Sequence, residues 1–161
     1  MAQPTPAQRM EHVIRTYIQA CNDADAAAIA ACFCPEAVHY FPAPFVKCSG
    51  AVTIGSHFAT RVREYGMCWT VDQLITDADR CAATLEWTEF IRHPAPIVRR
   101  GVDWFVFEPQ TWCIQEVRSY TALPLVPDHS DMARQELLDF DYAGRGYPTT
   151  FPADHIHGEA C

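Results

Sequence analysis

The sequence predicts an α+β fold with three N-terminal helices, a mostly antiparallel sheet and a C-terminal extension. Three observations carry this reading. Apolar residues recur at helical spacing within the first 22 residues and again after Gly50. From Trp69 onward the period falls to two, in four runs separated by turn-type segments. Beyond Pro124 both periods disappear while aromatics, Gly and Pro stay frequent.

Met10, Val13, Ile14, Tyr17, Ile18 and Cys21 form one apolar stripe, which predicts a first helix from about Pro6 to Asn22. Asp25 stands ahead of "AAAIAACF", where its carboxylate would accept the orphan N–H groups of a short second helix that Pro35 ends. Ala37 to Phe41 reads as the first strand, stopped by Pro42 and Pro44. "KCSG" then turns into a third helix carrying Ile54, Phe58, Val62 and Tyr65 on one face. Trp69 to Ile75, Cys81 to Ile91, Arg99 to Phe107 and Trp112 to Leu123 read as strands. They are joined by "TDADR", "RHPAPIV" and "EPQT", which predicts an antiparallel meander. In the remainder, Pro124 to Cys161, a helical stretch covers Met132 to Phe140 and "DYAGRGYPTTFP" follows. This segment is too apolar for a solvated tail and is expected to wrap the body, over a pocket mouth or a subunit partner.

A chain of 161 residues is the size of one domain with a single substantial core. Its net charge of -8, with 12 scattered basic residues, argues against a nucleic-acid or anionic-membrane surface, because phosphate binding needs clustered Lys and Arg. A small neutral or weakly charged ligand is expected instead. No apolar run approaches a membrane span, and "MAQPTPAQRMEHVIR" lacks the basic start and apolar core of a secretory signal, so the expected location is the cytoplasm. The eight cysteines contain no C-x-x-C pair and read as mostly buried free thiols; "CFC" at 32–34 falls in a helical pattern, where residues two apart diverge. The "HIH" near the C-terminus could bind a metal only adventitiously. No phosphate loop or dinucleotide fingerprint is present.

The order helix, helix, strand, helix and four strands resembles the nuclear transport factor 2-like fold, in which a curved sheet and three helices form a cone open at one end. Over roughly residues 8–123, "YIQACNDADAAAIAACFCPEAVHYFP" and "GVDWFVFEPQTWCIQEVRSY" are similar to the opening and closing segments of the ketosteroid isomerase and SnoaL-like polyketide cyclase families. The resemblance implies a cone-shaped domain over residues 1–123. Residues 124–161 would be an extension packed on the same domain or on a dimer partner, and a homodimer is expected. Isomerases, cyclases, dehydratases, other lyases, an epoxide hydrolase and non-catalytic proteins share this fold, so the site must decide function.

Aligned to that family, Phe41 stands where ketosteroid isomerases place their aspartate base, so that base is missing. His39, two residues earlier on the same strand face, is the nearest replacement, with a near-neutral pKa suited to proton abstraction. Tyr17 matches the isomerases' oxyanion tyrosine, and Asp103 matches an aspartic acid that the isomerases hold protonated and SnoaL-like cyclases use as acid/base. Asp103 shares a face with Phe105 and Phe107, where desolvation should raise its pKa. His39, Asp103 and Tyr17 are thus the candidate catalytic residues. Phe41, Trp69, Glu86, Phe105, Phe107 and Ser119 are candidates for the pocket wall, with alternation alone leaving open whether Glu86 or Glu89 faces inward. Ser119 occupies a position where epoxide hydrolases of this fold carry an aspartate, and "REYGMCW" lacks the histidine of the scytalone dehydratase group, which disfavours both chemistries.

Two functions follow as expectations. One is a cofactor-independent lyase or isomerase (dehydratase, cyclase or retro-aldol type) working by proton transfer on a small hydrophobic oxygenated molecule, with no metal, nucleotide or flavin. The other is a non-catalytic ligand-binding or dimerisation module of the same fold, in which His39 and Asp103 are structural polar groups.

Overall fold

The computed structural model describes residues 3–42, 47–94, 96–121 and 141–152. Helix α1 is Pro6–Asn22. At its start the Thr5 hydroxyl accepts from the Gln8 N–H at 3.3 Å while the Gln8 side chain accepts from the Thr5 N–H at 2.9 Å, a reciprocal cap for two orphan donors. Asp25 accepts the N–H groups of Ala27 and Ala28 at 3.0 Å and starts α2, Ala26–Ala31. The expectation that α2 runs to Pro35 is corrected: strand β1 already begins at Phe33 and spans Phe33–Tyr40. Cys34 is therefore a strand residue and Cys32 a helix end, not members of one helix. Pro35 falls between Phe33 and Val38, where the pairing of β1 shifts register, a place in a strand that tolerates a residue with no N–H.

The "KCS" of the expected turn forms strand β2, Lys47–Ser49, antiparallel to β1. Three residues are too few to show a period of two. Gly50, at φ +88°, leads into α3, Ala51–Tyr65, and Gly66 in the left-handed region closes it with its N–H on the Val62 carbonyl. Strands β3 (Cys68–Asp77), β4 (Ala82–Ile91), β5 (Ile97–Phe107) and β6 (Ile114–Thr121) form the expected antiparallel meander.

All six strands join one curved, open sheet in the order β2-β1-β6-β5-β4-β3, with β1 and β6 the one parallel pair among them. The helices cover one face. Met10, Ile14 and Tyr17 of α1 and Ile54, Phe58 and Val62 of α3 meet Leu85, Phe105, Phe107 and Val117 of the sheet in a continuous core. Two polar ties fix the helices. The Asn22 amide donates to the carbonyl of Trp69 and accepts from its N–H, both at 2.8 Å, and Arg63 donates to the Ala24 carbonyl at 2.6 Å. The α2–α3 crossing is close enough that a Cβ on Gly55 would lie 2.3 Å from the Ala26 carbonyl oxygen.

Residues 141–152 lie on the opposite face of the sheet. Phe151 packs on Phe90 with centroids 5.7 Å apart, and Arg92 sits 3.8 Å over its ring. Arg100 donates to the Pro148 carbonyl at 3.1 Å and lies over Tyr142, while the Tyr147 hydroxyl donates to Glu86 at 2.6 Å. The helix expected over Met132 to Phe140 and the "HIH" motif lie outside the described residues. Among the described residues no helix is long and apolar enough to cross a membrane, and seven cysteines are free thiols.

Candidate functional site

Strand alternation aims a set of side chains at the helices. Trp87 and Glu89 of β4, Asp103 of β5, Ser119 and Thr121 of β6 and His39 of β1 face Tyr17, Ile18 and Cys21 of α1 and His57, Phe58 and Arg61 of α3. Between them lies a cavity of about 160 Å³. Its deep end is closed: Tyr17, His39 and Asp103 are 2%, 1% and 5% exposed. Its shallow end is lined by half-buried Pro42, His57, Arg61 and Thr121.

At the deep end His39 Nε2 lies 2.8 Å from the Ser119 hydroxyl oxygen, and its ring stacks on Phe41 at 4.3 Å with planes 12° apart. Burial, with a smaller effect of the neighbouring His57, lowers the His39 pKa from 6.5 to about 3. The near-neutral value expected from the sequence is thereby corrected. An imidazolium between Phe41 and Phe58 would lose its water and gain no anion in return. Nδ1 of the same ring is buried with no hydrogen-bond partner among the described residues.

Ser119 is the direct cross-strand partner of Asp103. Burial raises the Asp103 pKa from 3.8 to about 6, with a further upward push from Glu89; the neighbouring Ser119 hydroxyl and Trp87 indole N–H hold it part of the way down, although Trp87 Nε1 has no hydrogen-bond partner of ordinary geometry among the described residues. Asp103 Oδ1 has no hydrogen-bond partner among the described residues that meets ordinary geometry. Tyr17 packs edge-on against Phe33, Phe58 and Phe105, and its hydroxyl is held well above the usual phenol pKa, first by burial and then by Cys21 and Asp103. It therefore stays a donor. Gly101 sets Trp87 in place: a Cβ there would meet the indole ring at 2.3 Å, so only a glycine lets the ring lie against the β5 backbone.

Six of the nine residues singled out in the sequence, Tyr17, His39, Phe41, Trp69, Asp103 and Ser119, come together on this cavity. Three do not. Phe105 and Phe107 are fully buried in the core beyond it, ring against ring at 6.3 Å. Glu86 points to the other sheet face, where Tyr147 bonds it, and Glu89 takes the cavity side with Leu85 and Trp87. The large apolar pair Leu85 and Trp87 decides the facing of β4, and Glu89 follows by alternation.

The cavity residues that were not singled out include His57, Arg61, Trp87 and Arg99. Glu89 and Arg99 are paired across β4 and β5 and form an ion pair at 2.5 Å, their side chains 6% and 28% exposed. Burial raises the Glu89 pKa, while Arg99 and then Arg61 oppose it. His57 and Arg61 stand one helical turn apart beside the apolar stripe of α3, a spacing that could have marked them. Among the described residues no group of three or more His, Cys, Asp or Glu side chains is placed to hold a metal ion.

A curved, open sheet covered on one face by three helices, with a cavity between, is the nuclear transport factor 2-like architecture. The chain belongs to the SnoaL-like domain family, whose model matches residues 14–113. A protein of unknown function with a cystatin-like fold from Methylobium petroleophilum PM1 is 40% identical, with 89% of this chain and 93% of that chain covered and a TM-score of 0.70. SalBIII, an epoxide hydrolase/cyclase-like enzyme of pyran ring formation in the polyether salinomycin, is 16% identical over 71% of this chain and 91% of that one, with a TM-score of 0.60. An NTF2-like protein of unknown function from Cytophaga hutchinsonii ATCC 33406 is 11% identical, covers 74% and 92%, and has a TM-score of 0.58. The last two are likenesses of fold. A search of curated proteins finds no match.

Proposed function

We propose that the protein is a cofactor-independent lyase or isomerase, of dehydratase, cyclase or retro-aldol type, that moves a proton on a small hydrophobic oxygenated molecule in this cavity. The observation that carries the reading is the row His39, Ser119, Asp103, with a buried unbonded atom at each end. With Asp103 ionised, His39 Nε2–H donates to Ser119, the Ser119 O–H donates to Asp103, and a lone pair is left on His39 Nδ1.

A proton taken from substrate carbon by Nδ1 need not stay on the ring. As it arrives, the Nε2 proton passes to Ser119 and the Ser119 proton to Asp103, so the imidazole changes tautomer without ever becoming a cation. The effective basicity is then that of Asp103, with a pKa of about 6, and not that of an imidazole held at about 3. Tyr17, still protonated, donates to the enolate or phenolate oxygen that develops. The same row run backwards returns the proton to another carbon, which isomerises, or to a departing hydroxyl, which dehydrates.

The test is proton exchange into D2O of ring-sized ketones, cyclohexanone and 4-oxocyclohexanecarboxylate, followed by proton NMR. Acceleration should rise with pH to a plateau above about 6, and Asp103→Asn and His39→Gln should each lower it by about 100-fold or more. Folded variants that exchange at the wild-type rate refute the relay. If wild-type protein binds these ketones without accelerating exchange, the cavity is a binding module and not an active site.

A further inference from the structure

The shallow end of the cavity has its own chemistry. Arg61 lines it from α3 and Arg99 from β5. Arg99 is paired with Glu89, but among the described residues no carboxylate lies within ion-pairing distance of Arg61, whose guanidinium rests 4.1 Å over the Tyr65 ring. Stacking fixes the orientation of the planar group and leaves its edge donors available. The lining cations are Arg61 and Arg99, and the lining carboxylates are Glu89 and Asp103. Once Asp103 carries a proton, as the relay requires during turnover, the lining holds one uncompensated positive charge.

Size narrows what can sit there. A cavity of about 150 Å³ holds a benzene ring, and this one is about 160 Å³. Between the two polar ends run Ile18, Phe58, Met67 and Trp69, an apolar sleeve suited to one ring or a chain of similar bulk. A fused polycycle would not fit within it.

Resting on the proton-transfer reading, we infer that the substrate is a monocyclic or similarly sized molecule bearing one carboxylate, which Arg61, with the Arg99–Glu89 pair beside it, binds at the cavity mouth. The carboxylate anchors the molecule from outside, and its carbonyl or hydroxyl end reaches Tyr17, His39 and Asp103. Glu89 keeps the site from being a general anion trap: a dianion would meet its charge, whereas one carboxylate matches the single unpaired guanidinium.

The probes are benzoate and its neutral isostere benzamide, titrated into the full chain and followed by protein NMR and by ligand-detected saturation transfer. Benzoate should bind at least about tenfold more tightly than benzamide, and Arg61→Gln should abolish that preference, because the charge contact at the cavity mouth is lost. Arg80→Gln, an equal charge change on the exposed β3–β4 turn, should preserve it. Equal affinity for the two probes, binding of neither at 10 mM on the order used for weak fragments, or an unchanged preference in folded Arg61→Gln each overturns the inference. Those results leave the relay standing, since its test is exchange in Asp103→Asn and His39→Gln. Loss of the relay with benzoate preference intact is the reverse outcome.

Discussion

Replacing Asp103 by asparagine should change how stability depends on pH in a way that separates it from His39. The Asp103 pKa rises from 3.8 unfolded to about 6 folded, so between those values the folded chain binds more protons than the unfolded chain. Stability therefore falls as pH rises through this window, by about 1.4 kcal/mol per unit and about 3 kcal/mol in all. His39 has the opposite sign. Its pKa falls from 6.5 to about 3, the unfolded chain binds the extra proton, and stability rises with pH across that window, by about 5 kcal/mol in all. From pH 4 to 6 the two slopes nearly cancel. Asp103→Asn leaves the histidine slope unopposed, so the variant should gain about 3 kcal/mol relative to wild type between pH 4 and pH 7. His39→Gln should lose ground to wild type over the same range. Urea unfolding at half-unit steps of pH, with m held constant across variants, gives both differences directly. An Asp103→Asn profile parallel to wild type would show that Asp103 is not desolvated as described, and the relay would lose its proton store.

Two further substitutions test how the site is held. Gly101→Ala places a methyl group where the Trp87 ring lies; unfolding should show a loss of about 1–3 kcal/mol. Since Trp87 lowers the Asp103 pKa, its displacement should also move the exchange midpoint above about 6, and an unmoved midpoint in the destabilised variant would detach Trp87 from the carboxylate. Asn22→Ala removes both 2.8 Å bonds to the Trp69 backbone and leaves two buried groups unpaired, which should cost about 2–5 kcal/mol in urea unfolding. A loss under 1 kcal/mol on the order of a single surface bond would mean that water replaces the amide there.

Helices α1 and α3 are legible in the sequence because each buries one face over at least two periods, as α1 does from Met10 to Cys21, and α2 is legible from its Asp25 cap. What is not legible is short or two-sided. Strand β2 has three residues, and the start of β1 holds a proline that local rules assign to a helix stop, whereas the tertiary bulge accommodates it. Within the site, Tyr17, His39 and Asp103 follow from resemblance and alternation together. Glu86 misleads because β4 is covered on both faces, by the helices and by residues 141–152, so polarity does not distinguish inside from outside. Arg61 and Arg99 escape notice for a different reason: a charged residue on a helix or strand normally reads as a solvated face, and only the cone brings these two to one cavity mouth.

Phe41, at the position where the resemblance to ketosteroid isomerases implies an aspartate, sets the surroundings of His39. A phenyl ring stacked on His39 at 4.3 Å contributes to its burial and offers no anion; burial lowers the histidine pKa to about 3, so the ring is uncharged at neutral pH. Taken alone, that would disqualify it as a base at neutral pH. The ring is useful for proton transfer only if the proton can leave by its other nitrogen, which requires a hydroxyl in contact with Nε2 and an acid of suitable pKa behind it. Ser119 at 2.8 Å and Asp103 at about 6 meet those two requirements on adjacent strands. On the proposed relay, the proton's resting place lies across the sheet on β5, and Ser119 would be as necessary to the chemistry as the two residues it joins.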